Sequence, residues 1–335
     1  MGTLGRVVVV IPAHNRRHTV SKAIESVLGQ TYRDLQCIVV DNGSSDDTGE
    51  VLGTLSESRL TVISEPRPLG PSMARDVGVS AGSGATWVSF LDSDDYWAPD
   101  KVERQLNALA QYPAAKWCAT SGVSVDTGIE VRFATRLGWG QPSAEDQYLV
   151  PQNELLKLLR DDNLIPAGGS NVLVSRELYK AVGGFDAELS TNEDWDLWLK
   201  LAKESPLAYV DVPLVGYRIW EGQTSNNYQR FVDSAALIRS RHLPDAGPLP
   251  RGYGLRWDRE SARRHVAASR RISAARSYLR VAVGGRAPGQ LAYAVAAATF
   301  PGLAERRLRQ VESARSLPEG WREQVEPWLA CWRSA

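Results

Sequence analysis

Short apolar runs alternate with amphipathic segments along the N-terminal third of the chain. The runs are rich in β-branched residues and occupy positions 7–11, 35–40, 60–63 and 87–91. Between them lie apolar residues at helical spacing around Ile24 and a small-residue segment at 72–81. Strands separated by helices in this order predict right-handed βαβ units and a parallel sheet covered on both faces. Because an open α/β sheet binds its ligand beyond the carboxyl ends of its strands, we expect the functional site there.

The pattern is less regular in the middle of the chain. It predicts strands over 117–140 and 170–175, and helices over 153–160 and 192–203. The last helix is the clearest, because Trp195, Trp198 and Ala202 recur at spacings of three and four and fall on one face.

The composition changes after Pro244. Proline and glycine cluster at 244–250, which favours a boundary there. Between positions 251 and 286 arginine is abundant and acidic residues are scarce. Five apolar residues of this region share one helical face: Ala268, Ile272, Ala275, Leu279 and Ala282. We therefore predict a first domain at 1–243 and a helical appendage at 244–335.

Composition and charge exclude several classes of protein. A chain of 335 residues with 43% hydrophobic and 23% charged residues is typical of globular proteins. The 39 basic and 39 acidic residues balance, so the totals predict no nucleic-acid partner. Cys37, Cys118 and Cys331 are far apart, which disfavours disulfides and zinc and favours a reducing compartment. With no signal-peptide pattern and no apolar stretch near the ~20 residues of a spanning helix, we expect a cytoplasmic protein.

Polar residues follow the first two predicted strands. Pro12, Ala13, His14 and Asn15 come directly after the first. They contain no glycine, whereas a dinucleotide-binding turn or a P-loop needs several, so both of these sites are disfavoured. Asp41 ends the second strand, where a carboxylate can accept hydrogen bonds from a ribose hydroxyl or a base N–H. Alternatively, Asp41 belongs to an ordinary turn.

Three carboxylates follow the fourth predicted strand within four positions. Asp92, Asp94 and Asp95, with Ser93 among them, would repel one another unless a cation neutralised them. Mg²⁺ and Mn²⁺ favour one or two carboxylates together with phosphate oxygens, so the run points to a nucleotide diphosphate. The alternative is a solvated acidic helix start before Pro99.

A second acidic group opens the clearest helix. Glu193 and Asp194 lie at its start, with Asp196 just inside it. A carboxylate that the helix dipole keeps ionised could accept a proton from an attacking hydroxyl. Helix capping, with Thr191 and Asp194 in the spacing of a capping box, is the structural alternative.

Weaker signals come from a glycine, an arginine and three tryptophans. Gly70 and Arg75 could bring backbone and a guanidinium to a phosphate or base, although a lone helical arginine is more often a surface cation. Trp97, Trp139 and Trp220 adjoin polar or turn residues and are candidate platforms for stacking a sugar.

Taken together, four motifs resemble the inverting glycosyltransferases of family 2, which have a GT-A fold. The motifs are VVVIPAHN at 8–15, VVDNGSSDDT at 39–48, FLDSDD at 90–95 and EDWDLW at 193–198. They occur in the order and spacing of that family and place the resemblance at about residues 6–226. The resemblance implies an α/β, GT-A type nucleotide-sugar-binding fold with a mostly parallel central sheet, a donor half at 1–116 and an acceptor half at 117–243.

The resemblance also implies a donor and a metal ion. The donor would be a nucleotide sugar, UDP-linked, with residues 12–15 and Asp41 around the nucleoside and Arg75 beside it. Asp92 and Asp94 would form the DxD motif of the family, with Asp94 the direct ligand of Mn²⁺ or Mg²⁺ at the diphosphate. Many relatives carry a histidine near the metal where this chain has Trp220, so water or the diphosphate would complete the shell.

The general base implied by the resemblance is Asp194, with Glu193 as its neighbour. Asp194 would deprotonate an acceptor hydroxyl as it attacks the anomeric carbon from the face opposite the leaving nucleotide, and the configuration would invert. The acceptor, whether a glycan, a lipid-linked sugar or a small molecule, has no signature in the sequence.

Two readings from other classes stay open. The chain could be a nucleotide-sugar binding module without catalysis. It could also be a scaffold associated with a membrane or polymer, because basic amphipathic helices at 251–286 could touch the inner face of a membrane peripherally. A solvated face packed on the catalytic domain is the plainer interpretation of those helices.

Overall fold

A computed structural model of the chain describes residues 4–137, 146–160, 162–220, 228–246, 262, 271–284, 289–300, 302 and 317–333. Within these residues the strands are β1 (Val7–Ala13), β2 (Leu35–Asn42), β3 (Leu60–Glu65), β4 (Trp87–Phe90), β5 (Tyr96–Trp97), β6 (Trp117–Val125), β7 (Val131–Thr135), β8 (Gln147–Val150), β9 (Leu173–Ser175) and β10 (Leu207–Arg218). The helices are α1 (Val20–Leu28), α2 (Thr48–Gly53), α3 (Pro71–Ala81), α4 (Lys101–Gln111), α5 (Gln152–Leu159), α6 (Arg176–Ala181), α7 (Glu193–Glu204), α8 (Tyr228–His242), α9 (Arg271–Gly284), α10 (Gly289–Thr299) and α11 (Trp321–Arg333).

One sheet runs through the first part of the chain in the order β3-β2-β1-β4-β9-β6-β10-β5, with β7 beside β6 and β8 beside β10. The four strands predicted from the N-terminal pattern pair in parallel, as expected. β1 lies between two neighbours under helices, and residues 7–11 are fully buried. This explains why its sequence is a continuous apolar run rather than an alternating one.

The other half of the sheet is mixed. β9 pairs antiparallel with β4 and with β6, whereas β6 and β10 are parallel. The α/β class is confirmed, but parallel pairing is confined to β3-β2-β1-β4 and to β6-β10. The strand predicted over 170–175 is shorter than expected, because Gly168–Asn171 forms a 3₁₀ turn before β9. Since β9 is reversed, this turn lies at the same edge of the sheet as the carboxyl end of β4.

The chain divides into two compact units, Met1–Trp220 with Leu317–Ala335, and Glu221–Ser316. This division differs from the predicted boundary between 243 and 244. The last helix, α11, returns to the first unit because its apolar face is buried there, as Trp321, Val325, Trp328 and Leu329 are at most 7% exposed. Trp332 stacks on Tyr96 at 5.6 Å between ring centroids.

The second unit contains α8, α9 and α10. Tyr278 of α9 stacks on Tyr293 of α10, with 5.5 Å between ring centroids. The side of α9 that packs inward carries Ala274 and Val281, which are fully buried. Ile272 and Leu279, two members of the helical face noted in the sequence, are exposed instead; Ala268, a third, lies outside the described residues. No helix in the described parts of the chain is long and apolar enough to cross a membrane.

Candidate active site

The carboxyl ends of β1, β2 and β4 bring the first candidate residues together. Ala13 pairs with Asp41 in the register of β1 and β2, so the two predicted donor-binding segments are neighbours. The amide of Leu91 donates to the Val10 carbonyl, which continues the β4 pairing up to Asp92. The carboxyl edge of these strands, where the sequence predicts the site, thus brings Asp41 and Asp92 to the same side of the sheet.

The acidic run, residues 92–95, forms the turn between β4 and β5. It is not a helix start, because α4 begins at Lys101 with Asp100 as its N-cap residue, so that alternative was wrong. The Asp94 carboxylate accepts a hydrogen bond of 2.8 Å from the Trp220 indole and lies 3.9 Å from the Arg16 guanidinium. Trp220 thus contacts the acidic run where relatives were expected to carry histidine.

Asp95 has a structural place within the run. It is buried, accepts a hydrogen bond of 2.5 Å from the Ser170 hydroxyl and accepts another of 2.9 Å from the Arg218 amide. Burial, followed by repulsion from Asp94 and Asp92, raises its pKa well above the usual value. Ser93, predicted to bind the donor, is also buried. Asp95 therefore ties β5, β10 and the 3₁₀ turn together.

The carboxylates of Asp92 and Asp94 suit a divalent cation. Burial and the neighbouring Asp92 raise the pKa of Asp94, a cost that a bound cation would offset, while Arg16 offsets part of it already. Carboxylate oxygens are the ligands that Mg²⁺ and Mn²⁺ prefer. The described residues contain no group of three or more His, Cys, Asp or Glu able to hold a metal. Phosphate oxygens or water would have to supply the remaining ligands.

The acidic pair, Glu193 and Asp194, opens α7. The N-cap residue is Asn192, which has a φ of +58° and no side-chain cap, so the predicted capping box with Thr191 is not formed. Asp194 accepts a hydrogen bond of 2.8 Å from the Asn163 amide. Burial and, next, repulsion from Glu193 raise the pKa of Asp194 to about 7. That value suits a group that must take up a proton near neutral pH.

Arg75 joins the acidic run to the acidic pair. Its guanidinium donates to Asp92 at 2.7 Å and to Glu193 at 2.9 Å. Its other surface lies over the Phe185 ring, 4.8 Å from the centroid. Burial alone would lower the pKa of Arg75, but the two carboxylates raise it, so the group stays charged. Arg75 thus bridges the acidic run and the acidic pair, and it is buried rather than the surface cation that was the alternative.

Glycines make this close packing possible. A side chain at Gly78 of α3 would collide with Val10, since its Cβ would lie 2.3 Å from a Val10 methyl. Gly168 has a φ of +50°, and a Cβ there would lie 3.0 Å from the Asp194 carboxylate. The first glycine lets α3 carry Arg75 close over β1, and the second lets the 3₁₀ turn pass beside the acidic pair.

Residues of the segment 12–15 form hydrogen bonds that stabilise the neighbouring loop, in addition to lying at the candidate site. His14 contacts the Asn42 carbonyl at 2.9 Å through Nδ1. The Asn15 side chain accepts a hydrogen bond of 2.8 Å from the Ser45 amide, and Asp41 accepts one of 3.2 Å from the Ser44 amide. These bonds fix the loop after β2. The turn interpretation of Asp41 therefore holds alongside its place at the strand end.

The remaining predicted residues differ in their burial and in the elements to which they belong. Pro12 is partly exposed and Ala13 is buried. Gly70 has a φ of +89° and is the N-cap residue of α3, five positions before Arg75. Trp97 is a core residue, buried and donating to the Ser170 carbonyl, and Trp139 lies outside the described residues.

Sequence reasoning missed Arg16 and Asn163. Arg16 follows the 12–15 segment directly and lies over the Trp220 ring, 5.1 Å from its centroid, so its position next to a predicted site was the available signal. Asn163 lies in the irregular segment before the 3₁₀ turn and has no pattern around it that could have been read.

The chain is similar in sequence to known glycosyltransferases. The sequence profile of glycosyl transferase family 2 matches residues 8–183. An Escherichia coli protein named UDP-Glc:alpha-D-GlcNAc-diphosphoundecaprenol beta-1,3-glucosyltransferase WfgD is 26% identical over 222 residues, 65% of this chain and 79% of that protein. An uncharacterised glycosyltransferase of Rickettsia typhi is 27% identical over 223 residues, 65% of each protein. The match thus spans slightly less than two thirds of the length of that relative.

The fold is shared with a solved structure. S. aureus TarS, residues 1–349, superposes with a TM-score of 0.52 at 17% identity, covering 91% of each chain. The same TarS fragment has also been solved in complex with UDP, where the TM-score is 0.50 at 14% identity, covering 90% of this chain and 91% of the other. The likeness confirms the predicted GT-A type fold. Because the family profile covers more than half of the sequence, this chain belongs to glycosyl transferase family 2.

Proposed function

We propose that this chain is a metal-dependent inverting glycosyltransferase that moves a sugar from a nucleotide-diphosphate donor, UDP-linked, to an acceptor hydroxyl by direct displacement. The observation that carries the proposal is the Arg75 bridge, which holds Asp92 of the acidic run and Glu193 beside Asp194 in one site. A donor's diphosphate needs a cation, and an acceptor hydroxyl needs a group that accepts its proton. The two acidic groups offer a cation site and a proton acceptor side by side.

Asp194 is the proposed general base. Its pKa of about 7 lets it be ionised at neutral pH while still taking a proton from a hydroxyl that is becoming an alkoxide. The Asn163 amide orients the carboxylate, and the Trp195 amide donates to its other oxygen at 2.8 Å. Glu193 is engaged by Arg75 and acts as the neighbour that keeps the proton affinity of Asp194 high.

Asp94 and Asp92 are the residues that would hold Mn²⁺ or Mg²⁺. When bound, such an ion would supply positive charge against the charge that grows on the departing diphosphate, a stabilisation needed most in the transition state. Arg16 lies beside Asp94 and adds a fixed positive charge at the same place. Segment 12–15, Asp41, Gly70 and Ser93 remain the proposed surroundings of the donor.

The relatives support the choice of donor. WfgD is named for a UDP-Glc donor and a diphosphoundecaprenol-linked acceptor, and TarS has been solved with UDP. We extend to this chain the UDP-linked donor and the class of lipid-linked acceptors. A nucleotide-sugar binding module without catalysis is the second candidate; the Arg75 bridge, which places the acidic pair beside the acidic run, favours the enzyme, since binding of the donor alone needs no second acidic group.

Donor hydrolysis tests the proposal. The protein is incubated with a panel of UDP- and other nucleotide-linked sugars, with Mn²⁺ or with EDTA, and nucleotide release is followed together with the melting temperature. We expect one donor to raise the melting temperature and to be slowly hydrolysed only with the metal, since a ligand of the native state stabilises it. Stabilisation without any turnover, in the presence of glycan and lipid-linked acceptors, would favour the binding module.

A further inference from the structure

The second unit carries an unusual concentration of exposed apolar side chains. Nine large hydrophobic residues are exposed among those that the structure describes, and six of them lie between positions 272 and 300. They are Ile272, Leu279 and Val283 of α9, Leu291 and Val295 of α10, and Phe300 just after it. A patch of this kind on a soluble domain marks an interaction surface more often than chance exposure does.

The three residues of α9 form one stripe. They are spaced by seven and then four positions, so they lie on one face of the helix. Ile272 is 70% exposed and Val283 is 75% exposed, whereas Ala274 and Val281 on the opposite face are fully buried. Helix α9 is therefore apolar on both sides, but of these described residues only those on the side of Ala274 and Val281 are buried.

The charge beside this stripe has one sign. Arg276 and Arg280 are exposed and follow the stripe along one flank of α9. Positions 271–300 contain four arginines and no aspartate or glutamate. An apolar stripe flanked by arginines is the pattern of a helix that lies in the interface of an anionic bilayer, with its apolar face at the acyl chains and its cations at the headgroups.

We infer that the exposed face of α9, with Ile272, Leu279 and Val283 flanked by Arg276 and Arg280, binds the surface of an anionic phospholipid bilayer. A second copy of the chain is a poorer occupant. Two such faces would bring arginines against arginines, and positions 271–300 contain no acidic residue to pair with them. The inference is independent of the donor site and places the enzyme at a membrane surface.

Vesicle co-sedimentation of the full chain tests the inference. Vesicles of phosphatidylcholine alone are compared with vesicles that also contain phosphatidylglycerol, at about 0.1 M and about 1 M salt. We expect binding to the anionic vesicles at low salt, and weaker binding at high salt or without the anionic lipid. Equal recovery in the supernatant with both kinds of vesicle at low salt would overturn the inference.

Two variants separate the contributions. Ile272→Asn, Leu279→Asn and Val283→Asn combined should weaken binding by on the order of 100-fold, because apolar area no longer enters the bilayer. Arg276→Gln with Arg280→Gln should weaken it by about 30-fold, corresponding to about 1 kcal/mol for each arginine. The matched control is Val62→Asn with Met73→Asn, which alters two exposed apolar residues of the first unit and should change nothing.

Two results would contradict the inference. One is unchanged vesicle binding by the triple variant while its melting temperature matches the wild type. The other is a concentration-dependent dimer, seen by light scattering, that the triple variant abolishes, since this would assign the face to a second copy. Because the readout is vesicle binding, donor hydrolysis can fail or succeed without deciding the outcome.

Discussion

The acidic run and the acidic pair differ in how their carboxylates are held. In the run, Asp92 has Arg75, Asp94 has Trp220 and Arg16, and Asp95 has Ser170 and the Arg218 amide. In the pair, Glu193 shares Arg75, but Asp194 has only amide donors, from Asn163 and Trp195, and no ion pair among the described residues.

This difference separates two kinds of chemistry. In the run, Asp92 and Asp94 are held by arginines and an indole N–H, as suits groups that hold a ligand in place, whereas Asp95 is held by neutral donors and ties the strands together. Asp194 is held by neutral donors, and burial, followed by repulsion from Glu193, raises its pKa to about 7. A site with two acidic groups can thus give them different roles through burial together with their partners.

Removing the proton acceptor should have the largest effect. We expect Asp194→Asn to lower the rate of transfer by about 10²- to 10⁴-fold, because an amide cannot take up the acceptor proton. Donor affinity, measured by calorimetry with UDP, should be unchanged. The matched control is Glu204→Gln at the far end of the same helix, which should transfer at the wild-type rate. If Asp194→Asn transferred sugar at the wild-type rate, Asp194 would not be the general base.

Removing the bridge should cost stability. Arg75→Met leaves Asp92 and Glu193 without their shared cation in a buried place, and we expect a loss of about 3 kcal/mol in the free energy of unfolding. Urea denaturation measures it. Arg104→Met is the control, since Arg104 pairs with Asp100 on the surface of α4 and should cost about 0.5 kcal/mol or less. Equal losses in the two variants would mean that the bridge does not hold the site together.

The run should depend on metal, whereas the pair should not. We expect Asp94→Ala to lose the part of donor binding that Mn²⁺ adds, measured by calorimetry with UDP in Mn²⁺ and in EDTA. In Asp194→Asn the increase on adding Mn²⁺ should remain. If Asp94→Ala bound UDP as tightly as the wild type in Mn²⁺, the cation would not be held by this residue.

We expect the pKa of Asp194 to set the pH dependence of sugar transfer. Below a pKa of about 7 the carboxyl carries a proton and cannot accept another, so the rate should fall tenfold for each pH unit below that value and level off above it. Initial rates of transfer, measured at saturating donor from about pH 5 to about pH 8.5, would test this dependence. A flat profile over this range would place the pKa of the base elsewhere.

The sequence predicted the strand-end residues well for a simple physical reason. A parallel βαβ order forces the carboxyl ends of β1, β2 and β4 to one edge, so Asp41 and Asp92 could be placed together before any coordinates. The acidic pair could be assigned to a helix start by periodicity alone. The position of the acidic pair beside the acidic run depends on the reversed direction of strand β9. Nothing in the alternation of apolar and polar residues over 170–175 shows that direction.

The side-chain contacts that the sequence could not predict are tertiary ones. Asn163 meets Asp194 from an irregular segment, and Arg75 reaches Glu193 across 118 positions of the chain. The sequence could not predict the return of α11 to the first unit either, because an amphipathic pattern shows which face of a helix is buried but not which surface it packs against. The predicted appendage at 244–335 stays a prediction, and the compact units differ from it in placing 221–243 with the second unit and 317–335 with the first.

Trp332, the last aromatic residue of α11, packs next to the acidic run and offers the finest test of the comparison. Trp332 stacks on Tyr96, which follows Asp95 directly, with 5.6 Å between ring centroids and 13° between ring planes. We expect Trp332→Leu to lower the free energy of unfolding by about 1 kcal/mol and to weaken Mn²⁺-dependent UDP binding, while the pH profile set by Asp194 is unchanged. Tyr293→Leu, in the stacked pair of the second unit, is the control: a similar loss of stability with unaltered UDP binding. Should both variants alter UDP binding equally, the stack on Tyr96 would contribute only to general stability and not to the position of the acidic run.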